Sequence, residues 1–136
     1  MKKVLILCTG NSCRSIIGEA LVNAFLKPSG IEAYSAGSEP KGEVNPNAVK
    51  VLEKMGAWRT GYRSKSVEEV MRHAPFDLVV TVCDNAKEAC PLFPGGTKTV
   101  HVGFEDPDGK GFEAFVETAE QIKKRLLPKI EEEIEK

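Results

Sequence analysis

Short runs rich in apolar residues alternate along the chain with segments in which apolar residues recur every three or four positions. Turn-forming residues bound the short runs, which is typical of strands that are buried on both faces of a parallel sheet. The runs cover residues 3–7, 31–35, 76–82 and 97–102. The pattern therefore predicts four strands that are separated from one another by helices.

The first two helices are marked by their ends as well as by their periodicity. A helix over residues 15–26 should end at the Pro28 and Gly30 that follow it. Asn45 is a preferred helix cap, and the proline after it suits the first helical position. We therefore expect a second helix to run from this proline to Met55.

The later helical segments are less regular. One or two helical turns are predicted over residues 66–71, and a short helix over residues 85–89. Residues 112–136 have the periodicity of a long amphipathic helix. Pro128 lies inside this helix, and because proline removes a hydrogen-bond donor, we expect a kink or a break there.

The alternation of strands and helices predicts the α/β class, with right-handed crossovers between parallel strands. We expect a three-layer sandwich in which helices flank a four-stranded parallel sheet of order 2-1-3-4. A chain of 136 residues is also the usual size of one domain and is long enough to bury a real core. Residues 1–136 are therefore predicted to form a single domain.

Composition and charge limit the kinds of molecule that this protein is expected to bind. Hydrophobic residues make up 41% of the chain and charged residues 29%, which is ordinary for a globular protein. The net charge is -1, so no global field attracts nucleic acid or anionic lipid, and any anion site must be local. The apolar run near the N-terminus is shorter than the roughly 7–15 residues of a signal peptide. We expect a cytoplasmic monomer that binds neither nucleic acid nor a membrane.

The loop after the first strand has the form Cys, five residues, Arg, Ser. This spacing alone is weak, but the loop leaves a buried strand and opens a helix. Successive backbone N–H groups and the positive helix end then converge on one spot, which suits a tetrahedral oxyanion. Gly10 allows close backbone approach, Asn11 tolerates a left-handed conformation, and Arg14 can grip two oxygens at once. The predicted anion-binding residues are Thr9, Gly10, Asn11, Ser12, Cys13 and Arg14.

The same field acts on Cys8, because a helix N-terminus and a neighbouring guanidinium favour the nucleophilic thiolate over the thiol. Ser15 can donate a hydrogen bond to that sulfur and later steady it as a leaving group. Alternatively, Cys8 is a small buried hydrophobe at a strand end, which leaves Arg14 and the loop unexplained. Cys13 lies deeper in the helix start, so a structural or tuning role is favoured for it over a nucleophilic one.

A third cysteine, Cys83, lies at the C-terminal end of the third predicted strand. In a sheet of order 2-1-3-4 the first and third strands are neighbours and flank the point where the winding reverses, which is where ligands bind. Adjacent strands lie about 4.8 Å apart. Cys8 and Cys83 are therefore predicted to be near enough for a disulfide.

The fourth cysteine, Cys90, follows the predicted helix over residues 85–89. Residues seven apart on an intact helix are separated by about 10.5 Å, whereas disulfide geometry needs α-carbons within about 7 Å. A Cys83–Cys90 bond therefore requires this helix to unwind. Zinc is disfavoured, because zinc-binding pairs are usually closer in sequence and neither His73 nor His101 sits in a ligand-like cluster. Core packing stays an alternative for Cys90.

The segment after the fourth strand carries Glu105, Asp106 and Asp108 at the same edge of the sheet. Because Asp106 precedes a proline, an extended conformation is favoured, and this would project its carboxylate over the anion loop as a proton donor. The alternative is an ordinary solvated turn. Because Asp106 is expected at the same edge of the sheet as Cys8, its role as a proton donor is favoured.

Taken together, residues 8–15, the pair Cys83 and Cys90, and the Glu-Asp-Pro sequence at 105–107 resemble the thioredoxin-coupled arsenate reductases built on the low-molecular-weight tyrosine phosphatase fold. The match spans nearly the whole chain. Phosphatases of this fold share the loop, so the cysteine pair separates the two classes. The phosphatases usually carry tyrosines after the Asp-Pro, where this chain has Asp-Gly-Lys at 108–110.

The resemblance implies a sequence of catalytic steps. Arsenate binds to the loop and Arg14, and thiolate Cys8 attacks arsenic while Asp106 protonates the departing oxygen. Cys83 then attacks Cys8 and expels arsenite. Cys90 attacks Cys83, and thioredoxin reduces the resulting exposed disulfide.

The resemblance also draws attention to potassium, since members of the family can bind this ion near the loop, although no metal site is predicted. Asn11, Glu19 and Ser35 lie at suitable positions in the sequence, but the further acidic ligand expected around residues 64–66 is missing. Otherwise no tightly bound cofactor is predicted.

Two other functions remain open from the sequence. A phosphatase that hydrolyses phosphomonoesters through a cysteinyl-phosphate needs Cys8, Arg14 and Asp106 but neither Cys83 nor Cys90. A noncatalytic redox sensor or oxyanion-binding module would exchange its thiols without turnover.

Overall fold

The computed structural model describes residues 1–84 and 97–136. The predicted sheet is confirmed: four parallel strands lie in the order β2-β1-β3-β4. They are β1 (Lys2–Cys8), β2 (Ile31–Gly37), β3 (Leu78–Thr81) and β4 (Thr99–His101). Because β1 pairs with both β2 and β3, the strand that ends at Cys8 lies in the centre of the sheet.

The third and fourth strands are shorter than predicted. Phe76 is buried in the cluster that contains Leu5 and Val79, but it lies ahead of β3, which begins at Leu78. At the other end, the amide of Val82 still donates to the carbonyl of Leu7 at 2.9 Å, so β3 follows β1 one residue beyond its assigned end. Apolar character marked the buried strands β1 and β3, whereas β4 is largely exposed. It did not mark where the ladder hydrogen bonds stop.

The helices surround the sheet as α1 (Arg14–Phe25), α2 (Pro46–Lys54), α3 (Val67–Val70), α4 (Phe112–Gln121) and α5 (Leu127–Glu135). Short 3₁₀ turns follow α1 and α3, at Lys27–Ser29 and Met71–His73. The predicted cap is present, since the side chain of Asn45 accepts from the amide of Asn47. The side chain of Ser66, which was not predicted as a cap, accepts from the amide of Glu69 in the same way. The helix predicted over 85–89 lies outside the described residues.

Alternation along β1 divides the core between the two faces of the sheet. Val4, Ile6 and Cys8 pack in the larger cluster, which contains the buried side chains of α1 and of the C-terminal helices. Leu5 and Leu7 pack in a smaller cluster against Val70 of α3. Helices therefore cover both faces, and Cys8 faces α1.

The predicted irregularity at Pro128 takes a specific form. The helix widens over Ile122–Leu126 into a π-helical segment, and α5 begins at Leu127 with the proline in its first turn. Proline lacks an amide donor and its ring crowds the carbonyl four residues earlier, so the widened turn accommodates both. The irregularity thus lies just ahead of Pro128.

Among the described residues, no helix combines the length and the apolar character needed to cross a membrane. The monomeric state and the cytoplasmic location stay predictions.

Candidate active site

The backbone of the loop between β1 and α1 is held by bonds from outside it. Carbonyl groups of the loop accept amide hydrogens from the segment that follows β2, at 2.9–3.3 Å. The pairs are Cys8 with Ser38, Thr9 with Glu39, Gly10 with Lys41, and Ser12 with Asn45. In a trans peptide the C=O and the next N–H point in opposite directions. Outward carbonyls therefore turn the amides of Thr9, Gly10, Asn11 and Cys13 toward the inside of the loop.

The start of α1 is left open for an anion. Its cap position, Cys13, makes no side-chain cap bond, and its first turn carries no acidic residue. Both α2 and α3, in contrast, are capped by side chains. Since the first amides of a helix attract negative charge, this uncapped end points the same field into the loop.

The sulfur of Cys8 is buried at the base of the loop. It accepts a hydrogen bond from the amide of Asn11 at 3.3 Å and lies 2.9 Å from the hydroxyl oxygen of Ser15. Asn11 adopts the predicted left-handed conformation, with φ of 46°. Two hydrogen-bonding groups, the amide of Asn11 and the hydroxyl of Ser15, therefore converge on one sulfur.

The side chain of Asn11 fixes the direction of these bonds. Its amide nitrogen donates to Ser15 Oγ at 2.7 Å and to Ser35 Oγ at 3.0 Å. Its carbonyl oxygen accepts the backbone amide of Lys65 at 2.9 Å. Because Ser15 Oγ accepts from Asn11, its own hydrogen is available to the Cys8 sulfur, and a Cys8 thiolate would accept it.

Arg14 is buried and links the loop to the segment after β4. Its guanidinium donates to the carbonyl of Phe104 at 3.2 Å and lies 3.6 Å from Asp106 Oδ2. The other oxygen of Asp106 accepts the amide of Asp108 at 3.0 Å, so the carboxylate is held at the mouth of the loop. This placement is consistent with the predicted projection of the Asp106 carboxylate over the anion loop, and its role as a proton donor stays a prediction.

A cavity of about 540 Å³ opens above the loop. The loop residues and Arg14 form its floor, and charged side chains form its rim. The lining residues outside the loop are Glu39, Lys41, Asp84, Glu105, Asp106 and Lys110. Lys41 forms an ion pair with Asp108 at 2.9 Å, and Lys110 contacts Glu105. The cavity therefore suits a small anion and offers no aromatic wall among these residues.

The remaining cysteines differ in oxidation state and environment. Cys83 is disulfide-bonded, whereas Cys8 and Cys13 are free thiols. Cys83 is fully buried in the same cluster as Cys8, at the end of the neighbouring strand. Cys90 lies outside the described residues. The exposed disulfide that the resemblance implies is therefore buried at its Cys83 end.

Cys13 is not suited to act as a nucleophile. Burial, reinforced by the negative charges of Asp106 and Asp108, raises the pKa of its thiol to about 12. It is a neutral thiol at physiological pH, in agreement with the expected structural role.

The residues considered as potassium ligands are already engaged by a lysine. Lys65 Nζ lies 3.6 Å from Glu19 Oε1 and 3.4 Å from Ser35 Oγ. Asn11 Oδ1 is taken by an amide. A cation here would meet an ammonium group of like charge, so these residues do not fit a potassium ion. Among the described residues no cluster of metal-ligating side chains is found.

Gly37 was not predicted as a site residue, but it sets the position of the loop. A β-carbon there would lie 2.5 Å from the carbonyl oxygen of Thr9 and 2.9 Å from Cβ of Asn11. The only sequence signal is a glycine at the end of a strand, which says nothing about a contact 26 to 28 residues away in the chain.

We expect Gly37→Ala to lower kcat/KM by about 100-fold, because a displacement near 1 Å in a catalytic group costs about that much. The neighbouring backbone cannot rotate away as a flexible side chain could. Steady-state kinetics check this, with Ser38→Ala as the control, since Ser38 is exposed and contributes only its backbone amide. Wild-type kinetics in Gly37→Ala would contradict the expectation.

A central strand that ends in a thiol, followed by an amide-lined loop and an arginine at the helix start, defines a class of cysteine-dependent oxyanion proteins. The chain belongs to the low molecular weight phosphotyrosine protein phosphatase family, which it matches over residues 3–136. The family and the fold predicted from the sequence are thereby confirmed.

Arsenate reductases and a tyrosine phosphatase are both similar to this chain. An arsenate reductase of Bacillus cereus (strain 03BB102) is 39% identical over 126 residues, which are 92% of this chain and 91% of the relative. The structure of a low molecular weight protein tyrosine phosphatase from T. tengcongensis is 30% identical, with a TM-score of 0.78 and coverage of 97% and 99%. A thioredoxin-dependent arsenate reductase of Corynebacterium glutamicum is 27% identical, with a TM-score of 0.74, and this chain covers 62% of it.

Proposed function

We propose that this protein reduces arsenate to arsenite. One observation carries the proposal: Cys83 is oxidised and buried at the end of the strand beside that of Cys8, whose thiol is free in the anion loop. A hydrolytic phosphatase needs no second sulfur at this place. The similarity to arsenate reductases supports the same conclusion.

The first step forms a bond between Cys8 Sγ and arsenic. The oxyanion lies on the loop amides and the guanidinium of Arg14, which stabilise its charge. As the thiolate attacks, one arsenic–oxygen bond breaks, and Asp106 supplies the proton with which this oxygen leaves as water.

The second step is the reduction. The thiolate of Cys83 attacks Cys8 Sγ, so that a sulfur–sulfur bond forms and the sulfur–arsenic bond breaks. The electron pair of the broken bond stays on arsenic, which leaves as arsenite. Two thiols have lost two electrons, and arsenic has gained them.

The third step restores Cys8. The thiolate of Cys90 attacks Cys83, a Cys83–Cys90 bond forms, and the thiolate of Cys8 departs, steadied by Ser15. The distribution of free and bonded thiols in the structure agrees with this end state. Because Cys83 is fully buried, we assign the attack of an external dithiol to the sulfur of Cys90. We assign this role to thioredoxin, in keeping with the thioredoxin-dependent neighbour.

Hydrolysis of phosphomonoesters is the second candidate, because the family match and the trio Cys8, Arg14 and Asp106 suit it equally well. The decisive experiment measures arsenate-dependent consumption of NADPH with thioredoxin and its reductase, beside hydrolysis of an aryl phosphate. We expect efficient arsenate turnover and weak hydrolysis. The opposite ratio would favour the phosphatase. The absence of both activities would favour a sensor.

We expect Asp106→Asn to lower kcat about 100-fold for both arsenate and aryl phosphate, since the amide cannot supply the proton. Glu105→Gln is the matched control, because it removes the same charge from the rim of the same cavity. Equal losses in the two variants would show that charge, and not proton transfer, is what Asp106 contributes.

A further inference from the structure

Lys65 is a buried lysine beside the anion loop. Its side chain is 13% exposed and its partner Glu19, on α1, is 7% exposed. A lysine is costly to bury unless all its donors are satisfied and its charge is paired. Both conditions are met here, so the side chain has a defined place in the fold.

The ammonium of Lys65 has two hydrogen-bond acceptors and one ion-pair partner. Lys65 Nζ lies 3.0 Å from the carbonyl oxygen of Arg63, 3.4 Å from Ser35 Oγ and 3.6 Å from Glu19 Oε1. A lysine ammonium carries three donors and accepts none. The group is therefore held as a fixed positive charge between α1 and β2.

A continuous chain of hydrogen bonds joins this pair to the nucleophile. Ser35 Oγ donates to Glu19 Oε1 at 2.5 Å and accepts from Asn11 Nδ2 at 3.0 Å. The same Asn11 nitrogen donates to Ser15 Oγ at 2.7 Å, and Ser15 lies 2.9 Å from Cys8 Sγ. Glu19, through Ser35, therefore fixes the orientation of Asn11, which in turn directs the hydroxyl of Ser15 to the sulfur.

Glu19 can hold this chain in place only while its charge is compensated. Burial raises the pKa of its carboxyl, and the nearby ammonium opposes this shift. Without a neighbouring cation, the carboxyl would tend to take up a proton and lose its strength as an acceptor for Ser35. Some positive charge is therefore required at this place.

We propose that the ammonium of Lys65 is a built-in substitute for a bound monovalent cation, and that it positions Glu19, Ser35 and Asn11 for catalysis without potassium. Lys65 is a positioning residue, since it acts on Cys8 only through this chain. Its kinetic consequence rests on the proposed reductase function, whereas its effect on stability does not.

The wild-type test compares potassium chloride with choline chloride at equal ionic strength. We expect kcat/KM for arsenate and the melting temperature to be the same in the two salts. A rise of either quantity that is specific to potassium would overturn the proposal.

The variant test uses Lys65→Met, which keeps the backbone amide that bonds Asn11 and removes only the ammonium. In choline chloride we expect kcat/KM to fall roughly tenfold, the effect of losing one hydrogen bond to a charged group. The melting temperature should fall as well. Potassium or ammonium chloride should restore much of both losses, because these ions can take the vacated place beside Glu19.

Two further variants separate positioning from general destabilisation. Lys54→Met, an exposed lysine on α2, should show no dependence on the cation. The double variant Glu19→Gln with Lys65→Met should lose the response to potassium, because the charge that attracts the ion is gone. A Lys65→Met variant that is indifferent to the cation in both readouts, or a double variant that still responds, would overturn the proposal. Loss of stability without loss of activity would leave Lys65 structural only.

Discussion

Cys8→Ser should abolish arsenate turnover, with a loss of at least about 10⁴-fold, as is typical when a nucleophile that works with its neighbours is removed. A serine hydroxyl is a far weaker nucleophile than the thiolate. It also has no sulfur to enter a disulfide, so electrons cannot pass to arsenic by the proposed route. Hydrolysis of an aryl phosphate should fall by a comparable factor.

The fold and the anion site should survive this substitution. A serine oxygen can still accept from the amide of Asn11 and bond Ser15, which are the two contacts of the Cys8 sulfur. Calorimetric binding of inorganic phosphate and the melting temperature are therefore the controls. Cys13→Ser should lose far less activity, because burial raises the pKa of the Cys13 thiol to about 12 and so keeps it neutral. Substantial turnover by Cys8→Ser would show that another group attacks the substrate.

The parts of the site that are local in sequence could be predicted. The cysteine, the glycine, the asparagine with positive φ and the arginine lie within residues 8–14, between an apolar run and a helix. Their neighbours in the chain fix their positions, so a single strand, loop and helix start is enough to define the anion cradle. The parallel sheet followed from the alternation of strands and helices and from the handedness of the crossovers, and the expected strand order 2-1-3-4 is the one observed.

The parts that depend on distant contacts could not be predicted. Lys65 reaches Ser35 across 30 residues in the chain. Its ammonium lies beside Ser35 and Glu19, which the sequence analysis considered as potassium ligands. The sequence showed only that an acidic residue was missing around residues 64–66. It did not show that a lysine in this segment would turn inward, because that depends on how β2, α1 and the segment before α3 pack.

The burial of the Cys83 side chain could not be predicted from the sequence pattern either. The sequence placed Cys83 at a strand end and implied an exposed disulfide, whereas the side chain is fully buried among the residues that pack on α1. The end of a strand can be exposed or covered, and the covering elements here come from distant parts of the chain. This burial directs the proposed reductant to the other sulfur of the disulfide.

Substitution of Cys83 separates the two candidate functions most sharply. Cys83→Ala should abolish thioredoxin-dependent turnover of arsenate, with a loss similar to that of Cys8→Ser, since no second sulfur on the neighbouring strand can attack Cys8 and release arsenite from it. Hydrolysis of an aryl phosphate should be largely retained, because Cys8, Arg14 and Asp106 are untouched. Alanine is preferred to serine, since the site is fully buried and a hydroxyl there would need a partner.

Mass spectrometry of arsenate-treated protein locates the step at which each variant stops. Wild-type protein should contain a Cys83–Cys90 disulfide, and Cys90→Ser should stop after one turnover with a Cys8–Cys83 disulfide. Cys83→Ala should form no disulfide that includes Cys8. Full multiple turnover by Cys90→Ser would remove Cys90 from the relay, and full turnover by Cys83→Ala would exclude the relay altogether. The second result would make hydrolysis the better account of this site, because the loop, the arginine and the carboxylate would then be its only working parts.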